Sequence, residues 1–234
     1  MVRNYRTAWR HFFIDRKERK ATERLRFESR EEWLGGRNRQ GIGASEAAAV
    51  VGMSPWMSPL ELWRLKVGKD SPKDLSGSAA VSRGVRMEPA LRGLYEAMHP
   101  GYTVEYHAFD MLYQKERPWL FATLDGEITD EQGRKGILEI KTSSPNGKAG
   151  WAKWDGKIPE NYFCQVLHQM LATGYEFVDL MAGLENMEGD LSVRTYRFER
   201  EEQAENMAWL LEKEIAFYQN HILTGTPPAA ILRL

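Results

Sequence analysis

The sequence predicts an α/β fold, a central mixed β-sheet flanked by helices. Two observations predict it. Short apolar stretches of strand length recur between residues 102 and 198, and Gly136–Lys141 alternates with the two-residue period of a strand. Around them lie longer stretches with helical apolar spacing, over 83–98, 160–173 and 199–223. At 234 residues and 42% hydrophobic, the chain has mass for one good core. We expect a single domain over 31–234, preceded by an arm over 1–30.

Composition narrows the class. No apolar run approaches membrane-spanning length, and the basic, aromatic N-terminus holds no signal-like segment, so a cytoplasmic protein without membrane partners is expected. The lone cysteine, Cys164, permits no internal disulfide and no four-cysteine iron–sulfur cluster. Formal net charge is −1, but its distribution is uneven. Residues 1–40 hold 12 Lys and Arg against 6 acids, and the remainder holds 20 against 27. A nucleic-acid enzyme tolerates a neutral total when acids gather at a metal and bases line a channel.

Along the chain, residues 1–30 read as a charged helix or arm. Trp9, Phe12 and Phe13 are its apolar content, and Arg16-Lys17-Glu18-Arg19-Lys20 is expected on a solvated face. Glu28–Gly35 is expected as a short helix carrying Trp33 and Leu34 and stopped by Gly35-Gly36. A glycine-spaced loop follows, leading into a helix over Glu46–Val51 with Ser45 as N-cap. A helix start with a serine hydroxyl and nearby arginines can hold an anion; an ordinary capped helix is the plain alternative. Ser58-Pro59 opens a helix to about Lys66 with Leu60, Trp63 and Val67 as its stripe, and 68–80 reads as a polar surface loop.

Over Arg83–Met98 the core positions are Met87, Leu91, Leu94 and Met98, which leaves Glu88, Arg92 and Tyr95 off the stripe. Pro89 points to a helix that starts there, with Glu88 at its favoured N-terminal end. Strands are expected over 102–107, 109–113 and 118–124, the last delivering Asp125, with Glu127 on a strand surface or, as the alternative, an acid supporting the metal ligands. Trp151 and Trp154 flank Lys153, a pattern that suits either a nucleic-acid groove or packing on the domain. In the helix 160–173, Phe163, Val166, Leu167, Met170 and Leu171 face the core. Tyr162, Gln165 and Gln169 lie opposite, Gln169 in solvent, and His168 is a surface or hydrogen-bonded residue rather than a ligand. Strands 177–183 and 191–198 pair. The long helix 199–223 turns Met207, Leu210, Leu211, Ile215, Tyr218 and Ile222 inward, Gly225 and Pro227-Pro228 end it, and the apolar tail 229–234 docks on the body or a neighbouring subunit.

The chemistry concentrates at 124–141. Gly126 loosens the chain after Asp125, and Asp130, Gly133 and Gly136 supply turn chemistry. In the strand that follows, Leu138 and Ile140 share one face; Ile137, Glu139 and Lys141 share the other. Two acids and a lysine on apolar strands are costly unless compensated, and a hard divalent cation held by carboxylate oxygens compensates them. No histidine- or thiolate-rich set exists for zinc.

Asp125 with Glu139-Ile140-Lys141 resembles the Asp…Glu-x-Lys core of the restriction-endonuclease-like, PD-(D/E)xK nucleases. Three flanking blocks sharpen the resemblance: Arg39-Gln40-Gly41-Ile42-Gly43-Ala44-Ser45-Glu46-Ala47-Ala48, Arg83-Gly84-Val85-Arg86-Met87-Glu88-Pro89-Ala90, and Pro159-Glu160-Asn161-Tyr162-Phe163-Cys164-Gln165-Val166-Leu167-His168-Gln169-Met170. In this order they resemble the lambda-type phage exonucleases and the YqaJ-like viral recombinase family, over roughly residues 31 to 185.

That resemblance implies a restriction-endonuclease-like core and a Mg²⁺-dependent 5′-to-3′ exonuclease. Its substrate is linear double-stranded DNA, and its product is a 3′ overhang for recombination by strand annealing. It implies a single-strand annealing protein as partner, a ring trimer around DNA, and the cytoplasm of a bacterial or phage-infected cell. Asp125 would bridge two Mg²⁺ ions, with Mn²⁺ as substitute. Glu139 and the backbone carbonyl of Ile140 would hold one ion and Glu88 the other. Lys141 would orient the attacking water or neutralise the phosphate, and Gln165 would position that water. Ser45 and an arginine would hold the 5′-phosphate. Asn38 stands where the family's arginine is expected, so Arg39 is favoured and Arg37 is second. Tyr162, Lys153 and Trp151 are candidate DNA contacts. Three other readings stay open: an endonuclease with the same metal core; a nuclease of the helicase-linked or CRISPR-adaptation type, whose usual cysteine-bound cluster the lone Cys164 argues against; and a non-catalytic DNA-end-binding module.

Overall fold

A computed structural model describes residues 22–37, 41–75 and 77–230. The expectations for Trp9, Phe12, Phe13, the charge run, Arg39 and the last four residues lie outside these.

The apolar alternation read from the sequence builds two sheets. A five-stranded sheet runs in the order β3 (Thr103–Glu105), β6 (Gly126–Thr129), β7 (Lys135–Ser143), β8 (Phe177–Glu185), β9 (Leu191–Glu199). A four-stranded sheet runs β1 (Thr22–Arg26), β4 (Asp110–Gln114), β5 (Leu120–Ala122), β2 (Ile42–Gly43). Both are mixed: β7 pairs with β8 in parallel and β2 with β5 in parallel, the other pairs being antiparallel. Strand β1 falls within the stretch expected as an arm.

The β7–β8 pair lies between helices on both faces, which is why β8 is buried from Phe177 to Leu184. On one face, α6 (Glu160–Thr173) lays Val166, Leu167 and Met170 into a cluster with Ile137, Leu180 and Ala182. On the other, α4 (Ala79–Met98) lays Leu91 and Tyr95 against Leu138, Ile140 and Met181. The face assignment along β7 is therefore borne out. Gly136 stands opposite Phe177 in the pairing, and a Cβ there would fall 2.1 Å from the Phe177 ring. Only glycine allows that approach.

Several sequence readings are corrected. Helix α4 begins at Ala79 and runs through Pro89, so Glu88 sits mid-helix; a single lost N–H is tolerated in a helix anchored by Leu91 and Tyr95. Tyr95 is buried and bonds Asp179, whereas Leu94 and Met98 are exposed: the core face is rotated from the one read. Helix α1 (Arg30–Arg37) runs through Gly35-Gly36 instead of stopping there, and the ring of Phe27 packs against the Gly36 backbone. Ser45 is not an N-cap. It lies in a 3₁₀ turn (Ala44–Glu46) that leads into α2 (Ala47–Val50), and the Glu46 carboxylate accepts from the Gly43 N–H at 2.8 Å instead. Helix α3 (Pro59–Lys66) forms as expected, with Ser58 and Glu61 as a capping box.

Glu127 is not a surface residue. Buried on β6, it accepts from Arg24 at 2.5 Å and from the Tyr175 hydroxyl at 2.5 Å, and Arg24 also binds Asp110 at 2.6 Å, locking β1 onto the body. After the short α5 (Gly147–Ala152), α6 is buried nearly all round and ends on Gly174 in the left-handed region. His168, within it, is hydrogen-bonded rather than exposed: Glu214 lies at 2.6 Å and the Phe121 carbonyl at 3.0 Å. The C-terminal helix is shorter than read, α7 spanning Ala204–Phe217 and closing in a π turn over Tyr218–Ile222.

Candidate active site

Asp125 stands at the point where β6 leaves β7. The last β6–β7 pair is Gly126 with Leu138, so beyond it one edge of β7 is open. Asp125 takes that place: its Oδ2 accepts from the Ile140 N–H at 2.8 Å. In a strand, the N–H and C=O of one residue point the same way, so the Ile140 carbonyl faces the same opening. Glu139, one residue earlier, projects toward α6 and is almost fully buried. Lys141, two residues on, shares its face and donates to Glu139 Oε1 at 2.5 Å. Gln165 Nε2 donates to the same oxygen at 2.6 Å, and Gln169 Nε2 to Oε2 at 2.5 Å.

Gln169 is the residue sequence reasoning missed. It was expected in solvent, yet it is fully buried and grips the second oxygen of Glu139. The signal was present: Gln165 and Gln169 are four apart, on one helical face. Replacing Gln169 by Leu frees one oxygen of a buried carboxylate from its donor. We expect a 10- to 100-fold loss, to order of magnitude, in Mg²⁺ affinity or DNA hydrolysis with the fold retained, read by calorimetric titration and circular dichroism.

The electrostatics show what these carboxylates lack. Burial and then the repulsion of Glu139 push the Asp125 carboxyl up to about 8, against the pull of Lys141 and the Ile140 N–H. Glu88, on α4, is also raised, first by burial, then by Glu139, with Arg92 and Lys141 opposing, so it lies close enough to feel the charges of the site. Burial works against the charge on Lys141, but Glu139 and Asp125 outweigh it and hold the ammonium above its ordinary range. Arg92, one turn after Glu88, donates to the Asp125 carbonyl at 2.7 Å and lies over the Tyr106 ring at 3.8 Å. Among the described residues, no three acidic, histidine or thiol side chains already converge on one point. The donors are nonetheless all oxygens, the kind a hard divalent cation takes: burial first, and then the charge of Glu139, raise both Asp125 and Glu88, and the Ile140 carbonyl faces the same opening as Asp125.

Arg37 reaches this opening from α1. It donates to the Ser45 hydroxyl at 2.9 Å and to Thr123, two residues before Asp125, at 3.5 Å, with its guanidinium over Trp33 at 4.7 Å. Burial lowers its pKa, and Glu46, Asp125 and Glu139 offset part of that. Lys66, buried beneath, neutralises Glu46 at 2.7 Å and donates to the Arg37 carbonyl. Of the other candidates, Tyr162 lies at the site with its ring 5.0 Å from the Lys141 ammonium. Trp151 packs on the main core under Arg194, Trp154 is buried, and Lys153 is exposed.

A mixed sheet with Asp…Glu-x-Lys at the open edge of its central strand, covered by helices on both faces, is a restriction-endonuclease-like core. The model of the YqaJ-like viral recombinase domain matches residues 32–176, and the chain belongs to that family. A Bacillus subtilis protein described as uncharacterized protein YqaJ is 32% identical over 201 residues, which is 86% of this chain and 59% of the relative; the chain spans less than two thirds of its length. Among solved structures, the alkaline exonuclease LHK-Exo from Laribacter hongkongensis in complex with dAMP superposes with a TM-score of 0.62 at 22% identity, over 83% of this chain and 95% of that one. A phage-related exonuclease from Haemophilus somnus 129PT superposes with a TM-score of 0.54 at 11% identity, over 80% and 96%. Among the described residues no helix is long and apolar enough to cross a membrane.

Proposed function

We propose that this chain is a Mg²⁺-dependent 5′-to-3′ exonuclease on linear double-stranded DNA that leaves a 3′ overhang. The observation that carries the reading is the union of Asp125, Glu139, Lys141 and Glu88 at one opening with the Arg37–Ser45 pair at its edge. Asp125, Glu139, Glu88 and the Ile140 carbonyl hold divalent ions, Mg²⁺ or in its place Mn²⁺. Bound there, two such ions supply positive charge at the attacking and leaving oxygens of a phosphodiester. Lys141 offers its ammonium to the phosphoryl oxygens as their charge grows, or orients the water that attacks. Gln165 and Gln169 fix both oxygens of Glu139, and Gln165 stands within reach of that water. Arg37 and the exposed Ser45 hydroxyl take the 5′-terminal phosphate, charge against charge. Arg37, second choice on sequence, is the arginine with a described bond to Ser45; Arg39 lies outside the described residues. The family resemblance adds a ring trimer enclosing DNA and a single-strand annealing protein as consumer of the overhang.

The test is digestion of linear duplex DNA with a 5′-phosphate or a 5′-hydroxyl, with Mg²⁺ or chelator. Mononucleotides should appear only with metal and faster from the phosphorylated end, and Arg37→Gln should abolish that preference. Equal cutting of a closed circle would mean an endonuclease. Binding of ends without any cleavage would mean an end-binding module.

A further inference from the structure

The loop between α2 and α3 presents Trp56 to solvent, 64% exposed. This exposure is built rather than incidental. Ser54 Oγ accepts from the N–H of both Trp56 and Met57, the Met53 and Ser54 N–H groups are tied to the Ala48 carbonyl, and Met53 sulfur lies 3.8 Å from that of Cys164. The neighbouring Met57 packs into the second core cluster, so the turn is anchored on both sides of the indole. One edge of that indole rests on Tyr162, with ring centroids 6.2 Å apart and planes at 41°. Tyr162 is in turn fixed by Trp154 at 5.7 Å and lies under the Lys141 ammonium at 5.0 Å. An unbroken line of contacts therefore runs from solvent through Trp56 and Tyr162 to Lys141 and Glu139.

We propose that Trp56, backed by Tyr162, is a nucleobase platform. It stacks a base of the strand whose phosphate lies at Lys141. The inference rests on the nuclease reading of the same site. The occupant follows from the chemistry: a phosphate drawn to Lys141 carries a base within one nucleotide's reach, and an aromatic face takes any base without hydrogen-bond readout. The platform thus holds the strand end through its bases without selecting sequence, which suits an enzyme that must accept each new end it makes.

The test combines Trp56→Ala with removal of a base from DNA. Affinities are measured by fluorescence anisotropy for a 5′-phosphorylated duplex, in Ca²⁺ to hold the complex without turnover. Each of the first three nucleotides of that 5′ strand is made abasic in turn. Trp56→Ala should weaken binding about tenfold, the loss of one base–aromatic stack. At one position the abasic substitution should weaken wild type by a similar factor and the Trp56→Ala variant hardly further. Trp56→Phe, which keeps a ring, should retain most of the affinity. Additive losses at all three positions, or full affinity in Trp56→Ala, would overturn the platform while leaving the nuclease reading intact. Failure of wild type to bind DNA ends at all would overturn both.

Discussion

Asp125→Ala and Glu139→Gln are each expected to lower DNA hydrolysis by about a thousandfold or more, with folding intact. The two act differently. Asp125 is the carboxylate that stands against the open edge of β7 and is least content without a cation, its carboxyl pushed up to about 8 by burial and by Glu139. Its removal takes away a carboxyl that burial and Glu139 make costly to hold in the fold, so the melting temperature in chelator should stay level or rise. Glu139 is the opposite case. It accepts from Gln165, Gln169 and Lys141. Glu139→Gln turns a carboxylate facing three donors into an amide with one acceptor, and it removes the counter-charge that holds the buried Lys141 charged. Stability should therefore fall along with activity. Single-turnover release of mononucleotides, with thermal melts of both variants, checks the pair. Cutting within tenfold of wild type in Asp125→Ala would place the chemistry elsewhere.

The core of this site was legible because it is short-range. Asp125, Glu139 and Lys141 are placed by strand alternation and one turn, so sequence spacing nearly determines their geometry. What failed depended on tertiary contacts. Gln169 looked solvent-exposed because α6 was read as half-buried, yet β4, β5, β8, α2 and α7 pack around that helix. Glu127 looked like a surface residue because its cation, Arg24, stands on a strand 103 residues away in sequence. Ser45 read as an N-cap from local sequence, but Glu46 performs that task and leaves the hydroxyl to Arg37. The core face of α4 was misjudged for a similar reason: Asp179 on β8 offers Tyr95 a hydroxyl partner deep in the fold, and that draws the helix round.

The raised Asp125 carboxyl also predicts how stability and metal affinity vary with pH. Its ordinary value is 3.8 and its folded value about 8. Between these, the folded chain keeps a proton that the unfolded chain has released. Stability in chelator should therefore fall as pH rises through that window, by on the order of a few kcal/mol once partial exposure of the group is allowed for. Above the folded value the group contributes no further slope. Asp125→Asn, which cannot titrate, should flatten the trend. A divalent cation competes for the same oxygens, so the rise in melting temperature caused by saturating Mg²⁺ should be small near about pH 6 and large near about pH 9. In the proposed reading the two slopes oppose each other: proton loss destabilises the site and frees the oxygens that a cation would take. Thermal melts across this range, with Mg²⁺ and with chelator, separate that coupling from a general alkaline effect, because only the coupling disappears in Asp125→Asn. An equal Mg²⁺ shift at both ends of the range would mean that Asp125 exchanges no proton for the ion in this window.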